Sequence, residues 1–168
     1  MTVTDDLGRV VTIDKVPTKI ISLAPSNTEI LFALGLEDRV VGVTEFCDYP
    51  DEALAKEKVG GFSDIDIEKV VAIQPDLILA TDIHKQEVIP ALERLGFTVI
   101  ALVPHNLDEV MESIILVGKV AGAEEAASQI VADMRQKIAA ITDKTANLKE
   151  AEKLRVLYVI WHEPIMSV

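Results

Sequence analysis

Four short apolar runs punctuate the chain, at residues 20–24, 39–43, 77–80 and 97–103. Each is rich in Val, Ile and Leu and shows little polar alternation, as expected of strands covered on both faces. Between them, apolar positions recur three or four residues apart, the period of a helix with one buried face. The start and stop signals agree with that alternation. Ser26-Asn27-Thr28-Glu29 reads as a capping box opening a helix to about Leu34, with Gly35 as its left-handed stop. A short helix is expected near 51–56, before Gly60-Gly61. Asp66 can cap a helix through Ile73, closed by Pro75, and Asn106 with Glu109 can cap one over 107–121. A helix ending at Leu95, before Gly96, tolerates Pro90 only in its first turn. Ahead of all this, Val3, the turn cluster Asp5-Asp6-Leu7-Gly8 and residues 10–13 predict a hairpin.

Beyond Gly122 the pattern changes. Ile130, Met134, Ile138 and Ile141 fall on one face of a helix expected over 123–148, a rod of about 37 Å at ~1.5 Å per residue. Residues 155–160 then form a run apolar on both faces, followed by a loop holding Trp161, His162 and Pro164. Strand-then-helix repetition predicts an α/β fold, a mainly parallel Rossmann-like sheet flanked by helices. The final run has two readings: it completes the preceding sheet, or it begins a second lobe.

Composition narrows the function classes. The chain has 168 residues, 49% hydrophobic and 26% charged, which suits a globular core. A net charge of −12 argues against a nucleic-acid backbone or an anionic membrane as main partner. The single cysteine, Cys47, excludes an internal disulfide framework and a CxxC site. The longest stretch free of Asp, Glu, Lys and Arg, residues 95–107, is too short to span a bilayer, and no basic-then-apolar leader follows Met1.

In an open parallel sheet, ligands collect where loops and helix starts meet at the carboxyl ends of the strands. The corresponding loops hold Pro25, Ser26, Asn27 and Thr28, then Phe46 and Tyr49, then Phe62 and Ser63, then Asp82 and His84, then His105, and finally Trp161 and His162. Free amides at 26–28 could hold an anionic or carbonyl group, or simply belong to a capped helix. Tyr49, Phe62 and Trp161 suggest a platform for a flat, bulky ligand, against the plainer reading that each covers a neighbouring loop. His84, His105 and His162 lack the fixed spacing of a metal site, so no metal is assigned; His84 alone could serve haem iron as an axial ligand. Cys47 reads as an inert, partly buried thiol rather than a nucleophile. A hydrolase using Ser26 lacks the GxSxG elbow, and neither GxGxxG nor GxxxxGK[ST] occurs. The expectation is therefore a protein that catalyses no reaction and carries no resident cofactor. A small flavodoxin-like enzyme using phosphate or nucleotide at 26–28 is the alternative of another class.

Read as continuous text, the motifs are familiar. Ile21-Ser22-Leu23-Ala24-Pro25-Ser26-Asn27-Thr28-Glu29 is followed in order by Cys47-Asp48-Tyr49-Pro50 and Val59-Gly60-Gly61-Phe62. Glu68-Lys69-Val70-Val71-Ala72 comes next, with Pro75-Asp76-Leu77-Ile78-Leu79 behind it. Together they resemble the extracytoplasmic substrate-binding proteins of ABC importers for cobalamin, iron-siderophore and haem, and the Asp-Tyr-Pro loop leans toward the cobalamin branch. The resemblance implies two α/β lobes joined by a long rigid helix, with the ligand in the cleft between them. It makes 1–122 the N-terminal lobe, 123–150 the interlobe helix, and 151–168 the first strand and loop of a truncated C-terminal lobe. It implies a corrinoid ligand, with a ferric siderophore or haem as alternatives, contacted by Pro25, Ser26, Asn27, Tyr49, Phe62, Ser63, Asp82, His84, Trp161 and His162. Some relatives carry Trp where this chain has Phe62, which makes the stacking surface smaller here. It further implies docking on a membrane permease through Glu68, whose plainer reading is an acidic residue favoured by a helix dipole. Arg–carboxylate pairing supplies the physical reason for docking, and the net acidity suits a basic permease face. The lobe alone should bind weakly, and its strand at 155–160 should seek another chain and dimerise.

Overall fold

The computed structural model describes residues 1–162 and 164–167; the side chains of Glu150, Ile160, Trp161 and His162 lie outside that description. The chain divides into two compact units, Met1–Ala132 and Asp133–Val168. The boundary falls inside a helix, later than the limit at 122 expected from the sequence.

In the first unit, strands β1 (Thr2–Thr4) and β2 (Val10–Thr12) form the expected antiparallel hairpin. The main sheet follows: β3 (Ile20–Ser22), β4 (Val40–Val43), β5 (Glu57–Lys58), β6 (Leu77–Ala80) and β7 (Val99–Ala101). Its order is β5-β4-β3-β6-β7, and every pairing is parallel. The helices are α1 (Pro25–Ala33), α2 (Ile67–Ile73), α3 (Val88–Arg94) and α4 (Leu107–Ala121). Helix α1 packs on α4, and α2 packs on α3. Beneath α2 and α3, Ile21, Leu23, Ile78, Ala80, Val99 and Ala101 join Val70, Val88, Ile89 and Leu92 in one buried cluster. These strand residues alternate with Ile20, Ser22, Leu77, Leu79, Ile100 and Leu102, which are buried on the opposite face. Both faces are thus covered, which is why the runs carry no polar alternation.

Most end signals act as the sequence predicts. Asp66 accepts from the Lys69 amide, Asn106 from the Glu109 amide, and Gly35, Gly96 and Gly122 all have positive φ. Pro90 sits in the first turn of α3, where its missing N–H costs nothing. The capping box expected at Ser26 is different. Ala24 is the N-cap of α1, Pro25 is its first helical residue, and no side chain caps the start. Proline's fixed φ starts the helix two residues early and leaves Ser26 exposed.

Three carboxylates fasten the sheet. Asp5 has no exposed side-chain surface and forms an ion pair with Arg9. It also accepts from the amides of Leu7, Arg9 and Ala101. Arg9 reaches on to the Val99 carbonyl, and Asp6 accepts from the Val103 amide, so the hairpin covers the free edge of β7. At the amino ends of β3 and β6, Asp76 accepts from the Thr18 amide and hydroxyl and the Lys19 amide, and pairs with Lys15. The Lys15 ammonium first, then the Thr18 hydroxyl and amide, hold the Asp76 carboxyl well below the ordinary carboxylate range.

Helix α5 (Glu124–Thr145) starts after Gly122, and about 33 Å of helix results at ~1.5 Å per residue. Its first turns bury Ala127 and Val131, whereas Ile141, placed on the same apolar stripe by sequence, is exposed. In the second unit, β8 (Val159–His162) pairs antiparallel with β9 (Ile165–Ser167). The strand expected over 155–160 therefore begins later, and residues 155–158 are exposed and irregular. Trp161 and His162 lie in a strand rather than in the loop after it. The both-faced apolar pattern calls for layers on each side, and the described strands of this unit form a two-stranded ribbon. Among the described residues, no helix is long and apolar enough to cross a membrane.

Replacing Asp5 with Ala should leave the Arg9 guanidinium and the Ala101 amide without their buried acceptor. The expected loss is about 3 kcal/mol of folding stability, read from urea denaturation midpoints at unchanged m-value.

Candidate functional site

The strand order reverses direction between β3 and β6: from β3 the chain moves outward to β4 and β5, then returns to the other side of β3. Such a reversal opens a crevice at the carboxyl ends of the two central strands, because their following helices leave toward opposite faces. Here one side chain spans it. Asn27, in the first turn of α1, is 2% exposed and donates from Nδ2 to the Ala80 carbonyl at the end of β6, 3.0 Å away. Around it, the amides of Ser26 and Asn27 occupy the second and third helical positions, where helix geometry supplies no partner. The Thr28 amide bonds back to Ala24.

Behind α1 lies a sealed polar cluster. The Thr28 hydroxyl bonds to Ser22 Oγ at 2.8 Å and to Cys47 Sγ at 3.2 Å, and Cys47 Sγ also meets Thr44 Oγ1 at 3.1 Å. All four side chains are fully buried. The cluster ties α1 to the loop after β4, as Lys58 does from β5 by donating to the Cys47 carbonyl. Cys47 is fully buried, deeper than the partly buried thiol expected from the sequence. Tyr49, two residues on, is 66% exposed, and Phe46 is half exposed.

The third loop turns at Gly60, whose φ is +122°. A Cβ there would fall 2.5 Å from the Asp64 carbonyl oxygen, so only glycine fits. Phe62 and Ser63 form the exposed tip. The fourth loop is a turn of 3-10 helix, Asp82–His84. Asp82 is exposed, but His84 has no exposed surface. Its Nδ1 accepts from the Thr81 amide at 3.1 Å, and its Nε2 lies 2.8 Å from the Phe62 carbonyl. An acceptor role at Nδ1 makes Nε2 the protonated nitrogen of the neutral ring, donating to Phe62. Both nitrogens are engaged, so His84 offers haem iron no free ligand atom and is a support beneath the surface rather than an open contact.

The structure thus brings Pro25, Ser26, Asn27, Tyr49, Phe62, Ser63 and Asp82 onto the carboxyl-end loops of one sheet. Neighbouring loops are tied by the Asn27–Ala80 and His84–Phe62 bonds and by the Glu45 amide on the Gly60 carbonyl. Trp161 and His162 belong to the second unit, and their side chains lie outside the described residues. His105 is exposed after β7, where its amide bonds to Glu109. Among the described residues, no three His, Cys, Asp or Glu side chains gather as metal ligands. Glu68 is exposed in the first turn of α2. Sequence reading missed Ser22, Thr28 and Thr44 as supports; Ser22 and Thr44 sit at strand ends and Thr28 in α1, all three hydroxyls in one cluster with Cys47, and no periodicity marks them.

Burial pushes the His84 pKa below its ordinary value, against the opposing effects of the Phe62 carbonyl and the Asp82 carboxylate. The folded state keeps this ring neutral, whereas the unfolded chain takes up a proton near pH ~6.5. Stability should therefore be insensitive to His84 above that pH and fall as pH drops below it, until the folded ring itself protonates. Urea midpoints between about pH 7.5 and 5.5 check this. The slope should largely disappear in His84→Gln.

A family model described as periplasmic binding protein matches residues 20–164. An uncharacterized ABC transporter substrate-binding lipoprotein of Bacillus subtilis is 38% identical over 98% of this chain and 53% of its own length. A vitamin B12-binding protein of Vibrio cholerae is 33% identical over 89% of this chain and 54% of its own length. The crystal structure of a periplasmic vitamin B12 binding protein of Vibrio cholerae superposes with a TM-score of 0.77 at 32% identity, covering 91% of this chain and 59% of that one. A periplasmic heme binding protein of Pseudomonas aeruginosa gives 0.77 at 26% identity, covering 85% and 52%. The chain spans about half the length of the curated relatives it matches. These relatives are named as binding proteins, not enzymes, in agreement with the missing catalytic motifs. From its ordered motifs, its all-parallel five-stranded sheet and a model match over most of its length, the chain belongs to the periplasmic binding protein family.

Proposed function

We propose that this chain forms one wall of the ligand cleft of an extracytoplasmic substrate-binding protein, which captures a corrinoid and delivers it to the permease of an ABC importer. The observation that carries the reading is the pair of exposed aromatics, Tyr49 and Phe62, on carboxyl-end loops of a chain that is 33% identical to a vitamin B12-binding protein over 151 residues. A corrin ring is wide, flat and largely apolar at its faces. Exposed rings on rigidly backed loops suit it, because aromatic contact surface comes with little side-chain entropy to lose. The polar positions at Ser26, Ser63 and Asp82 suit the amide-bearing edge of such a ligand.

Haem or a ferric siderophore is the alternative within the family, and the heme-binding neighbour favours keeping it. The engaged nitrogens of His84 weigh against haem held through that residue. The flavodoxin-like enzyme finds no support, since α1 starts with proline rather than a glycine-rich phosphate loop.

Isothermal titration of the whole gene product carrying this chain, against cyanocobalamin, ferric siderophores and haem, tests the assignment. Binding of cyanocobalamin is expected, weakened about three- to tenfold by Tyr49→Ala. Binding of none of the three would overturn the family-level ligand class, and a haem Soret shift without corrinoid binding would transfer the assignment. One lobe supplies part of the contacts, so this chain alone should bind far more weakly. Its β8–β9 ribbon, with β9 exposed, should favour strand pairing, seen as dimer by light scattering.

The permease partner has its own test. Glu68 is exposed on the first turn of α2 and free to enter a basic pocket. Glu68→Ala should leave ligand affinity unchanged and lower ligand-stimulated ATPase activity of the reconstituted importer. Unchanged stimulation would remove Glu68 from the docking surface.

A further inference from the structure

We propose that His84 is a positioning residue for ligand capture: one imidazole, buried under the loops, sets both the backbone and the ring of Phe62. Three contacts converge on it. Nδ1 accepts from the Thr81 amide at 3.1 Å, which anchors the ring to the end of β6. Nε2 then points its proton at the Phe62 carbonyl, 2.8 Å away in the adjacent loop. The Phe62 ring stands edge-on to the imidazole, with centroids 5.9 Å apart and planes at 66°. Such a geometry orients an aromatic as well as touching it.

The loop makes this anchor necessary. Its base is held by the Glu45 amide on the Gly60 carbonyl and the Asp66 amide on the Val59 carbonyl, each at 2.9 Å. Gly60 and Gly61 then remove side-chain restraint just before the tip. Among the described residues, the bond to His84 is the only hydrogen bond that Phe62 or Ser63 makes. A ring that must meet a flat ligand face is therefore fixed from below by a residue the ligand need not touch. A purely space-filling role for His84 would need neither the tautomer nor the directional bond.

The ligand half of this inference rests on the corrinoid reading; the loop-positioning half does not. Three variants of the whole gene product separate the contacts. His84→Gln retains a donor near the Nε2 position, His84→Asn retains an acceptor for Thr81 but cannot reach Phe62, and Phe62→Ala removes the ring. With cyanocobalamin as probe, His84→Asn should weaken binding about three- to tenfold, the worth of one hydrogen bond. His84→Gln should recover most of it, and His84→Asn should add nothing in the Phe62→Ala background. An unchanged affinity in His84→Asn, or an equal loss with and without Phe62, would overturn the proposal.

A ligand-free readout accompanies it: fluorine NMR of 4-fluorophenylalanine at position 62. A single sharp resonance in the wild type and His84→Gln, broadened or split in His84→Asn, supports the positioning role; identical spectra overturn it. If nothing binds cyanocobalamin, the corrinoid reading fails while the fluorine spectra still decide the role of His84. If the variants do not fold, nitrogen NMR of the wild-type imidazole decides, and a proton on Nδ1 instead of Nε2 overturns the proposal.

Discussion

The hydrogen bond from Asn27 to the Ala80 carbonyl crosses the place where the sheet reverses its winding, and the candidate site depends on that crossing. Parallel strands with helices on both faces must diverge somewhere, and here they diverge between β3 and β6. The Ala80 carbonyl at the end of β6 already accepts from the Leu102 amide at 3.0 Å, and Asn27 takes its second lone pair. This second bond, made from the first turn of α1, fixes the helix start against the neighbouring strand. The remaining loops are arranged around this tie. The one after β4 is tethered through Cys47 and Lys58, and the ones after β5 and β6 are joined by His84.

The side chains divide by depth. Ser22, Thr28, Thr44, Cys47, Asn27 and His84 are buried and bonded to one another or to backbone. Ser26, Tyr49, Phe62, Ser63 and Asp82 lie outside them, in contact with solvent. Among the described residues, no buried side-chain nitrogen or oxygen is left unpaired. A fully satisfied polar layer is rigid, because moving any member strands another in low dielectric. Rigid backing under exposed aromatics lowers the conformational cost of meeting a large ligand.

Much of this could be read from the residues. Val, Ile and Leu runs without alternation identified the two-faced strands, and Asp66, Asn106, Gly35, Gly96 and Gly122 marked helix ends where they occur. What failed did so for physical reasons. Ser26 carries a good capping side chain, but Pro25 starts the helix before it can act. The run at 155–160 satisfies strand propensity throughout, yet pairing with β9 begins only at Val159, since register belongs to the partner strand as much as to the run itself. The depth of His84 was equally invisible: a loop histidine reads as accessible until its loop is a 3-10 turn folded onto Phe62. The hydroxyl cluster around Cys47 arises from residues far apart in the chain, and no local pattern reports it.

The seclusion of Cys47 has a practical side. It is the only sulfhydryl in the chain, it has no exposed surface, and it is held between two threonine hydroxyls. Maleimide dyes therefore find nothing to react with in the native chain. A second cysteine introduced at an exposed position such as Ser26 becomes the sole site of labelling, beside the free amides at the start of α1. A fluorophore placed there would sit above the buried layer without disturbing it, and under the proposed binding role it would make the protein an optical sensor of its own solute.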